Sequence, residues 1–358
     1  MREEYGLMGV GGDNRVPLIS VVIPITRYES ELNEALVSVF TQTEQNFEVV
    51  LVDNHALLSV LSVAEKWHLK HPDRIRIVTE PIPGAVSARN KGILASRGEF
   101  IAFLDSDDRM KPDRLSLQLS AIRQDPDITL VGSWKDEISP DGEVIGKDSA
   151  PQIPRWASIL FGKTERWQRD PFYEPQTSTF LIRASAIQKA GMFDSRFDPF
   201  WLEDTDFSFR MYEKGRVVIV PQSLVEYRVH PKADSIRRIF DFGLILKHDV
   251  FFSILKEKYY LKDNPDSRSA FLKLKSRWLR ETGIKMLAYQ NGERYGKELI
   301  QKSLALNPSD LQSWEAFLRS RFIRSFYPRA FGIKGPIDAV LPEYVDDAWV
   351  SNLFSLDR

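Results

Sequence analysis

The sequence predicts an α/β fold in which a mostly parallel sheet is flanked by helices and followed by a helical C-terminal extension. Short apolar runs rich in Val and Ile lack the alternation of half-exposed strands, which is typical of strands buried on both faces of a parallel sheet. Amphipathic segments separate these runs, so that strand and helix alternate four times over about one hundred residues. Such alternation indicates βαβ units and a doubly wound sheet.

The first strand and helix illustrate the pattern. Residues 18–23 form a run that is apolar except for Ser20 and ends at Pro24, and Ser30 is placed to cap the helix that follows. Three further strands are predicted at residues 47–52, 75–78 and 100–104. Two further helices are predicted at residues 57–69 and 85–95, and a third begins near Pro112.

The second half of the chain changes character. Strands are predicted at residues 128–134, 180–183 and 217–220, helices at 184–190 and 204–214, and a long loop at 150–176. Residues 295–321 resemble one tetratricopeptide-like helix pair, which in a single copy cannot form a solenoid. We therefore predict a flexible N-terminus (residues 1–16), an α/β domain (17–238) and a helical C-terminal region (239–358).

Composition and charge restrict the function classes. A hydrophobic fraction of 43% is ordinary for a globular protein, and a net charge of −1 argues against a nucleic-acid partner. The absence of cysteine excludes disulfides and thiolate metal sites. The chain begins without a signal-peptide pattern, and no run reaches the ~18 apolar residues that span a bilayer. We expect a cytoplasmic protein, and peripheral contact with the inner face of the membrane is compatible with this composition.

An acidic turn follows the fourth predicted strand. Asp105, Asp107 and Asp108 place three carboxylates within four residues. Their repulsion is unfavourable unless a cation neutralises it, and oxygen ligands suit Mg²⁺ or Mn²⁺, which also bind phosphate. The alternative is an acidic turn that simply leads into a helix. Because ligands of such sheets bind beyond the carboxyl ends of the strands, the position favours the metal.

A second pair of acids starts a predicted helix. The helix dipole alone would favour Glu203 and Asp204 there. The flanking Phe200-Trp201 pair indicates a partly dry pocket, in which a carboxylate can act as a general base. Asp206 lies about 200° around the helix from Asp204, so we expect it to face solvent away from any shared site.

Two basic side chains are further candidates. Arg89 lies in the first turns of a helix, where a helix N-terminus and a nearby arginine can hold a diphosphate; a surface arginine is the alternative. His230 is a candidate metal ligand or phosphate donor, with a structural role as the alternative. No Gly-x-Gly-x-x-Gly follows the first strand, so a dinucleotide site is not expected.

Six segments, in order, resemble one enzyme family. They are Ser-Val-Val-Ile-Pro (20–24), Gln-Asn-Phe-Glu-Val-Val-Leu-Val-Asp (45–53), Gly-Ala-Val-Ser-Ala-Arg-Asn-Lys-Gly (84–92), Gly-Glu-Phe-Ile-Ala-Phe-Leu-Asp-Ser-Asp-Asp (98–108), Met-Phe-Asp (192–194) and Trp-Leu-Glu-Asp-Thr-Asp-Phe-Ser-Phe-Arg (201–210). Together they resemble the family 2 glycosyltransferases with the GT-A fold. The resemblance covers about residues 17 to 230. It implies an inverting enzyme of the bacterial surface-polysaccharide type, which moves a sugar from a nucleotide-diphosphate donor to a hydroxyl of a glycan or lipid-linked acceptor.

The resemblance also implies roles for matching positions. Asp105 and Asp107 are the outer pair of the family's Asp-x-Asp motif, with Asp107 as the ligand of Mn²⁺ or Mg²⁺, and Asp204 matches the catalytic base. We add Asp105 and His230 as further candidate metal ligands. The predicted donor-binding residues are Pro24, Ile25, Thr26, Asp53, Asn54, Arg89, Asp105 and Ser106.

Two departures from the family pattern concern the nucleotide base. The chain has Ile25-Thr26-Arg27 where the family usually continues Thr-Tyr-Asn, and Asp53-Asn54 where the family often has Asp-Asp. The amide oxygen of Asn54 still accepts a hydrogen bond from a uracil N–H, so we expect a UDP-linked donor.

Three other functions stay open at this level. A nucleotidyltransferase usually carries a Gly- and Lys/Arg-rich first loop, which residues 25–28 do not resemble. A phosphohydrolase with Asp105 as nucleophile would need a downstream Lys and a second acidic pair that we do not find. A degenerate domain acting as a scaffold is the third, and the intact acids argue against it. For acceptor binding we predict the aromatic segment 156–173, because sugar rings stack on aromatic faces; a loop buried on its own core is the alternative.

Overall fold

The computed structural model describes residues 17–153, 165–197, 203–230, 252–253, 257, 265–287 and 292–322. Contacts divide the chain into two compact units, the first comprising Met1–Gln152, Tyr173–Pro199 and Glu203–His230 and the second comprising Ile153–Phe172, Phe200–Leu202 and Pro231–Arg358. The predicted flexible N-terminus and the predicted boundary at residues 238–239 lie outside the described residues. The domain division therefore stays a prediction.

The described part of the first unit contains a nine-stranded sheet. The strands are β1 (Ile19–Ile25), β2 (Phe47–Asp53), β3 (Ile75–Thr79), β4 (Phe100–Phe103), β5 (Arg109–Met110), β6 (Ile128–Ile138), β7 (Val144–Ser149), β8 (Leu181–Arg183) and β9 (Arg216–Arg228). Their order is β3-β2-β1-β4-β8-β6-β9-β5, and β7 pairs with β6 outside this path. The predicted α/β fold class is confirmed.

The first four strands form the parallel half of the sheet, as predicted. Val22 on β1 lies between Val50 on β2 and Phe103 on β4, and all three side chains are buried. Helices cover both faces, so the strands have no polar face and the sequence shows no alternation. β1 continues through Pro24 to Ile25, beyond the predicted end. The proline is tolerated because β4 pairs only with residues 19–22, which leaves that side of β1 without a neighbour.

Beyond β4 the sheet is mixed. β8 runs antiparallel to both β4 and β6, β6 runs parallel to β9, and β5 runs antiparallel to β9. The sequence predicted β6, β8 and β9 but not their directions, because direction depends on where the chain re-enters the sheet. It missed β5, which has two residues, and β7, whose side chains are largely exposed.

The first unit contains six helices among the described residues: α1 (Glu29–Phe40), α2 (Leu58–Lys70), α3 (Ala85–Ala95), α4 (Arg114–Ile122), α6 (Ala184–Ala190) and α7 (Glu203–Lys214). The short helix α5 (Glu165–Arg169) belongs to the second unit. α1 begins two residues earlier than a cap at Ser30 predicts. Its N-cap is Tyr28, which makes no side-chain cap, and the Ser30 hydroxyl instead donates to Glu31. The predicted Ser30 cap is therefore wrong.

The second unit contains three longer helices, α8 (Pro265–Met286), α9 (Glu293–Leu306) and α10 (Leu311–Phe322). α8 and α9 pack closely at Gly283 and Gly296. A Cβ at either glycine would lie 2.7 Å from the other's carbonyl oxygen, so both positions require glycine at this crossing. The predicted helix pair at residues 295–321 corresponds to α9 and α10. Within the described ranges, no helix is both long enough and apolar enough to cross a bilayer.

Candidate active site

The acidic turn after β4 is tightly closed and partly buried. The backbone N–H of Asp108 donates to the carbonyl of Asp105, and the Asp105 N–H donates to the Ser178 hydroxyl at 3.1 Å. Asp108 is buried, and one of its carboxylate oxygens has no hydrogen-bond partner. Burial, followed by the negative charge of Asp107, raises the pKa of Asp108 well above its usual range. Asp105 and Asp107 keep part of their side chains open at the sheet edge.

Arg89 joins the acidic turn to the second acidic pair. Its guanidinium donates to Asp105 Oδ1 at 3.2 Å and to Glu203 Oε1 at 2.8 Å, and the side chain is buried. Burial disfavours its positive charge, yet Asp105 and Glu203 hold the pKa of Arg89 above its usual value. Arg89 is thus an internal bridge between two carboxylates. Its predicted contact with a diphosphate stays a prediction.

Glu203 and Asp204 begin α7, as predicted. Glu203 Oε2 is buried without a partner, whereas Asp204 Oδ1 accepts the Thr205 N–H at 2.8 Å. The Thr177 hydroxyl lies 3.5 Å from Asp204 Oδ2. Burial raises the pKa of both carboxyl groups, and the nearby Asp204 raises that of Glu203 further. Asp204 is therefore more readily protonated than an ordinary aspartate, which suits a proton acceptor.

Asp206 does not face solvent, which corrects the prediction from the helical wheel. It is buried and accepts a hydrogen bond from Arg210 at 2.8 Å. Arg210 also donates to the carbonyls of residues 190–192, the end of α6 and the turn after it. The side of α7 opposite Asp204 is therefore covered by the α6 turn, and the two acids lie in separate surroundings. Asp206 holds this turn against α7.

His230 lies beside the acidic turn. Its Nε2 is 3.1 Å from Asp107 Oδ2, and its ring stacks on Tyr28 with centroids 4.8 Å apart and planes 8° from parallel. The stacked ring orients the imidazole toward Asp107. Two of the three candidate metal ligands, Asp107 and His230, are thus brought together, whereas Asp105 faces Arg89.

The residues predicted to line the nucleotide pocket differ in burial and in hydrogen-bond partners. The Ile25 side chain belongs to the hydrophobic core, so only its backbone is near the sheet edge. Asn54 is buried: its amide nitrogen donates to the carbonyls of Glu80 and Ile82, and its oxygen accepts the Gly84 N–H at 2.9 Å. An aspartate could not donate to those two carbonyls, which explains why an amide follows Asp53 here.

Other predicted donor-binding residues are located as follows. Pro24 and Thr26 are half-buried at the end of β1, and the Thr26 carbonyl accepts the Leu57 N–H. One oxygen of Asp53 accepts the Ala56 N–H at 2.9 Å, and Ser106 is buried. Phe200-Trp201 and residues 156–164, half of the aromatic segment 156–173, lie outside the described residues.

Two buried arginines of the site were missed by sequence reasoning. Arg228 donates from its backbone to Asp108, from Nε to the Asp107 carbonyl and from Nη2 to Glu34 at 2.7 Å. Arg114 donates to the carbonyls of Phe103 and Phe180, and burial lowers its pKa to about 9. Arg228 could have been recognised from the sequence because it lies in the same short segment as His230, whereas no sequence feature near Arg114 indicates its role.

We expect Arg89→Met to lower the free energy of unfolding by roughly 3 kcal/mol, because removing one member of a buried ion network leaves its partners uncompensated. Urea denaturation measures this loss. The matched control is Arg216→Met, since Arg216 is half exposed and pairs with Asp125 at 3.1 Å. Breaking that surface pair should lower the free energy of unfolding far less, because exposed ion pairs contribute little. Equal losses for the two variants would contradict the bridging role of Arg89.

Comparisons with known proteins agree with this architecture. Residues 20–191 match the family model described as Glycosyl transferase family 2. The chain is 27% identical over 270 residues to the Bacillus subtilis (strain 168) protein named as a glycosyltransferase, EpsH, covering 73% of this chain and 75% of that one. It is 32% identical over 132 residues to the hyaluronan synthase of Pasteurella multocida. That match covers 37% of this chain and only 14% of the synthase.

Solved structures show the same fold. The mannosyltransferase PcManGT from Pyrobaculum calidifontis, in complex with GDP-Man and Mn²⁺, has a TM-score of 0.53 at 14% identity and covers 96% of this chain and 87% of its own. S. aureus TarS 1–349 in complex with UDP-GlcNAc has a TM-score of 0.50 at 14% identity, with 87% and 92% covered. At such identities the likeness concerns the fold alone. Residues 20–191 thus match family 2 of the glycosyltransferases, and the fold is GT-A. The chain is a glycosyltransferase.

Proposed function

We propose that this glycosyltransferase is metal-dependent and inverting, and that it moves a sugar from a nucleotide-diphosphate donor to a hydroxyl of a glycan or lipid-linked acceptor. The observation that carries the proposal is the link between the two acidic groups through Arg89, which contacts both Asp105 and Glu203. A donor-side carboxylate turn and an acceptor-side carboxylate, Asp204, are thereby held at the same edge of the sheet. Transfer between two bound substrates requires such a fixed arrangement.

The residues present fit a divalent cation. Asp107 Oδ2 and His230 Nε2 lie 3.1 Å apart, and a carboxylate oxygen suits Mn²⁺ or Mg²⁺ while an imidazole nitrogen is a common metal ligand. Among the described residues no group of three such side chains is arranged to hold a metal. Asp107 and His230 would therefore hold the ion together with water and the donor diphosphate. When bound, Mn²⁺ or Mg²⁺ supplies Lewis-acid stabilisation of the negative charge on the leaving diphosphate.

The chemistry of the protein's own side chains is general base catalysis. Asp204 accepts the proton of the acceptor hydroxyl as the hydroxyl oxygen forms its bond to the anomeric carbon. The bond between that carbon and the donor's phosphate oxygen breaks, and the nucleoside diphosphate leaves with the electron pair. Attack from the side opposite the leaving group inverts the anomeric centre. Arg89, through Glu203, keeps the first turn of α7 and thus Asp204 in position.

The donor nucleotide is expected to be UDP. A uracil N–H needs an acceptor, and the Asn54 oxygen accepts one N–H, from Gly84, which leaves its second lone pair. We expect calorimetry with Mn²⁺ to give tighter binding of UDP than of GDP or TDP. Tighter binding of either of the other two would contradict the assignment of uridine.

Donor hydrolysis tests the proposed function against a degenerate scaffold domain. The full chain with Mn²⁺ and a UDP-sugar should release UDP slowly without acceptor and faster with one. A scaffold would release none. Because nucleotide release is measured directly, the assay requires no knowledge of the natural acceptor.

A further inference from the structure

A polar cleft of about 370 Å³ adjoins Asp204. One wall is β6, which presents Ser133, Lys135 and Glu137, and the other walls are residues 149–152 and the segment that carries Glu174 and Gln176. All of these residues belong to the first unit. Because the proposed base lines this cleft, the acceptor hydroxyl must be presented from it.

The walls of the cleft are held together by specific contacts. Glu174 and Gln152 form an antiparallel bridge, in which the Glu174 N–H donates to the Gln152 carbonyl at 2.9 Å. Pro175 packs on β6 at Gly132, where an added Cβ would lie 2.5 Å from the proline side chain. The segment that carries Glu174 is therefore fixed against the strand that carries Lys135.

Among the lining residues that the structure describes, no cation is free to pair with an anionic ligand. Lys135 is the one basic side chain among the described lining residues, and it is already engaged. Its Nζ lies 3.6 Å from Glu137 and 3.9 Å from the centre of the Tyr227 ring. Glu174 and Asp204 also line the cleft. A ligand carboxylate or phosphate would lose its hydration here without gaining a partner, which is costly.

We propose that this cleft binds the acceptor, and that Glu174 together with the Lys135–Glu137 pair makes it select an uncharged, hydroxyl-bearing sugar over one that carries a carboxylate or phosphate. This inference rests on the proposed function. Carboxyl, amide and hydroxyl groups lining the cleft can satisfy sugar hydroxyls by hydrogen bonds. Glu174 is thus a residue that determines acceptor specificity.

Sugar pairs that differ only at C6 test the selection. Binding of p-nitrophenyl β-glucoside and β-glucuronide, and of the matching galactoside and galacturonide, is measured by NMR titration of the full chain with UDP and Mn²⁺ at pH 8.5. The neutral member of at least one pair should bind roughly tenfold more tightly, because a like charge within about 10 Å is repelled appreciably at a protein surface. Equal or tighter binding of the acid, or no binding of either pair, overturns the proposal.

Variants locate the selection in the cleft. Glu174→Gln and Glu137→Gln each remove one negative charge. Each should lower the ratio of the affinities for the neutral and the acidic sugar at least about threefold. The exposed Glu143, on the β6–β7 turn, provides the matched control, and Glu143→Gln should leave the preference unchanged. An unchanged preference in both cleft variants would overturn the role of these residues. Two variants are used so that a folding defect in one leaves the other decisive.

The pH dependence of the preference provides a second readout. Burial, and then the negative charge of Asp204, raises the pKa of Glu174 to about 8, and Lys135 and Glu137 are the other charged groups lining its cleft. Glu174 therefore gains its negative charge between pH 7 and pH 8.5, and the preference for the neutral sugar should increase over that range. Glu174→Gln should remove the increase, and persistence of the full increase would count against the proposal. UDP release without acceptor is assayed in parallel, so failure of the proposed function is recognised separately.

Discussion

Asp204→Asn should lower turnover by at least about a hundredfold while donor affinity stays near that of the wild type. The substitution keeps the shape of the side chain and removes the proton acceptor, and a positioned general base contributes roughly 10²- to 10⁴-fold. Donor affinity should persist because Asp107 and His230 are not changed. Steady-state turnover and calorimetric binding of UDP with Mn²⁺ measure the two quantities.

Asp206→Asn is the matched control, two residues along the same helix. Because Asp206 is buried and bonded to Arg210, this variant should lower the melting temperature while the folded protein keeps its turnover. If Asp206→Asn were the inactive variant and Asp204→Asn were active, the assignment of the base would be wrong. The correspondence between this segment and the family motif would then be wrong as well.

Asp107→Ala should reduce transfer by at least about a thousandfold, since Lewis-acid stabilisation of a leaving diphosphate contributes several kcal/mol. Excess chelator should have the same effect on the wild type, and added Mn²⁺ or Mg²⁺ should restore it. A readout independent of turnover is the thermal shift that UDP produces with Mn²⁺. Asp107→Ala should lose the part of that shift that depends on the metal.

Asp141→Ala provides a control for the removal of one carboxylate, because Asp141 is exposed on the β6–β7 turn. It should retain both transfer and the metal-dependent thermal shift. Full activity of the wild type in excess chelator would exclude the metal from the reaction. If Asp107→Ala kept full activity and remained sensitive to chelator, residues other than Asp107 would be the metal ligands.

Features that depend on residues close together in the sequence were predictable from the sequence alone. The buried runs at β1, β2 and β4 carry the parallel half of the sheet, since burial on both faces leaves a continuous apolar pattern. The acidic turn after β4 and the acids at the start of α7 were also recognisable, because each is a short contiguous motif. The placement of the acidic turn at the same edge as Asp53 follows from the parallel direction of β2, β1 and β4.

The partners of the charged side chains were not predictable from local sequence. Arg89 and Glu203 are 114 positions apart, and no periodicity relates them. A helical wheel put Asp206 on the far side of α7 from Asp204, but it carries no information about the α6 turn that covers that side. The two carbonyls of the segment after β3 that accept from the Asn54 amide nitrogen were likewise not predictable, because they lie 26 and 28 positions away in the sequence.

The physical reason is the range of the interactions involved. Strands, helices and clustered acids reflect backbone geometry and hydrophobic periodicity, both of which act over a few residues. The pairing of Arg89, the burial of Asp206 and the closing of the cleft at Glu174 depend on which segments meet after the chain has folded. Burial then determines which carboxyl groups have raised pKa values, because desolvation of a charge depends on the whole surrounding structure. The reaction class can therefore be recognised in short motifs, whereas the acceptor cleft exists only in the assembled sheet.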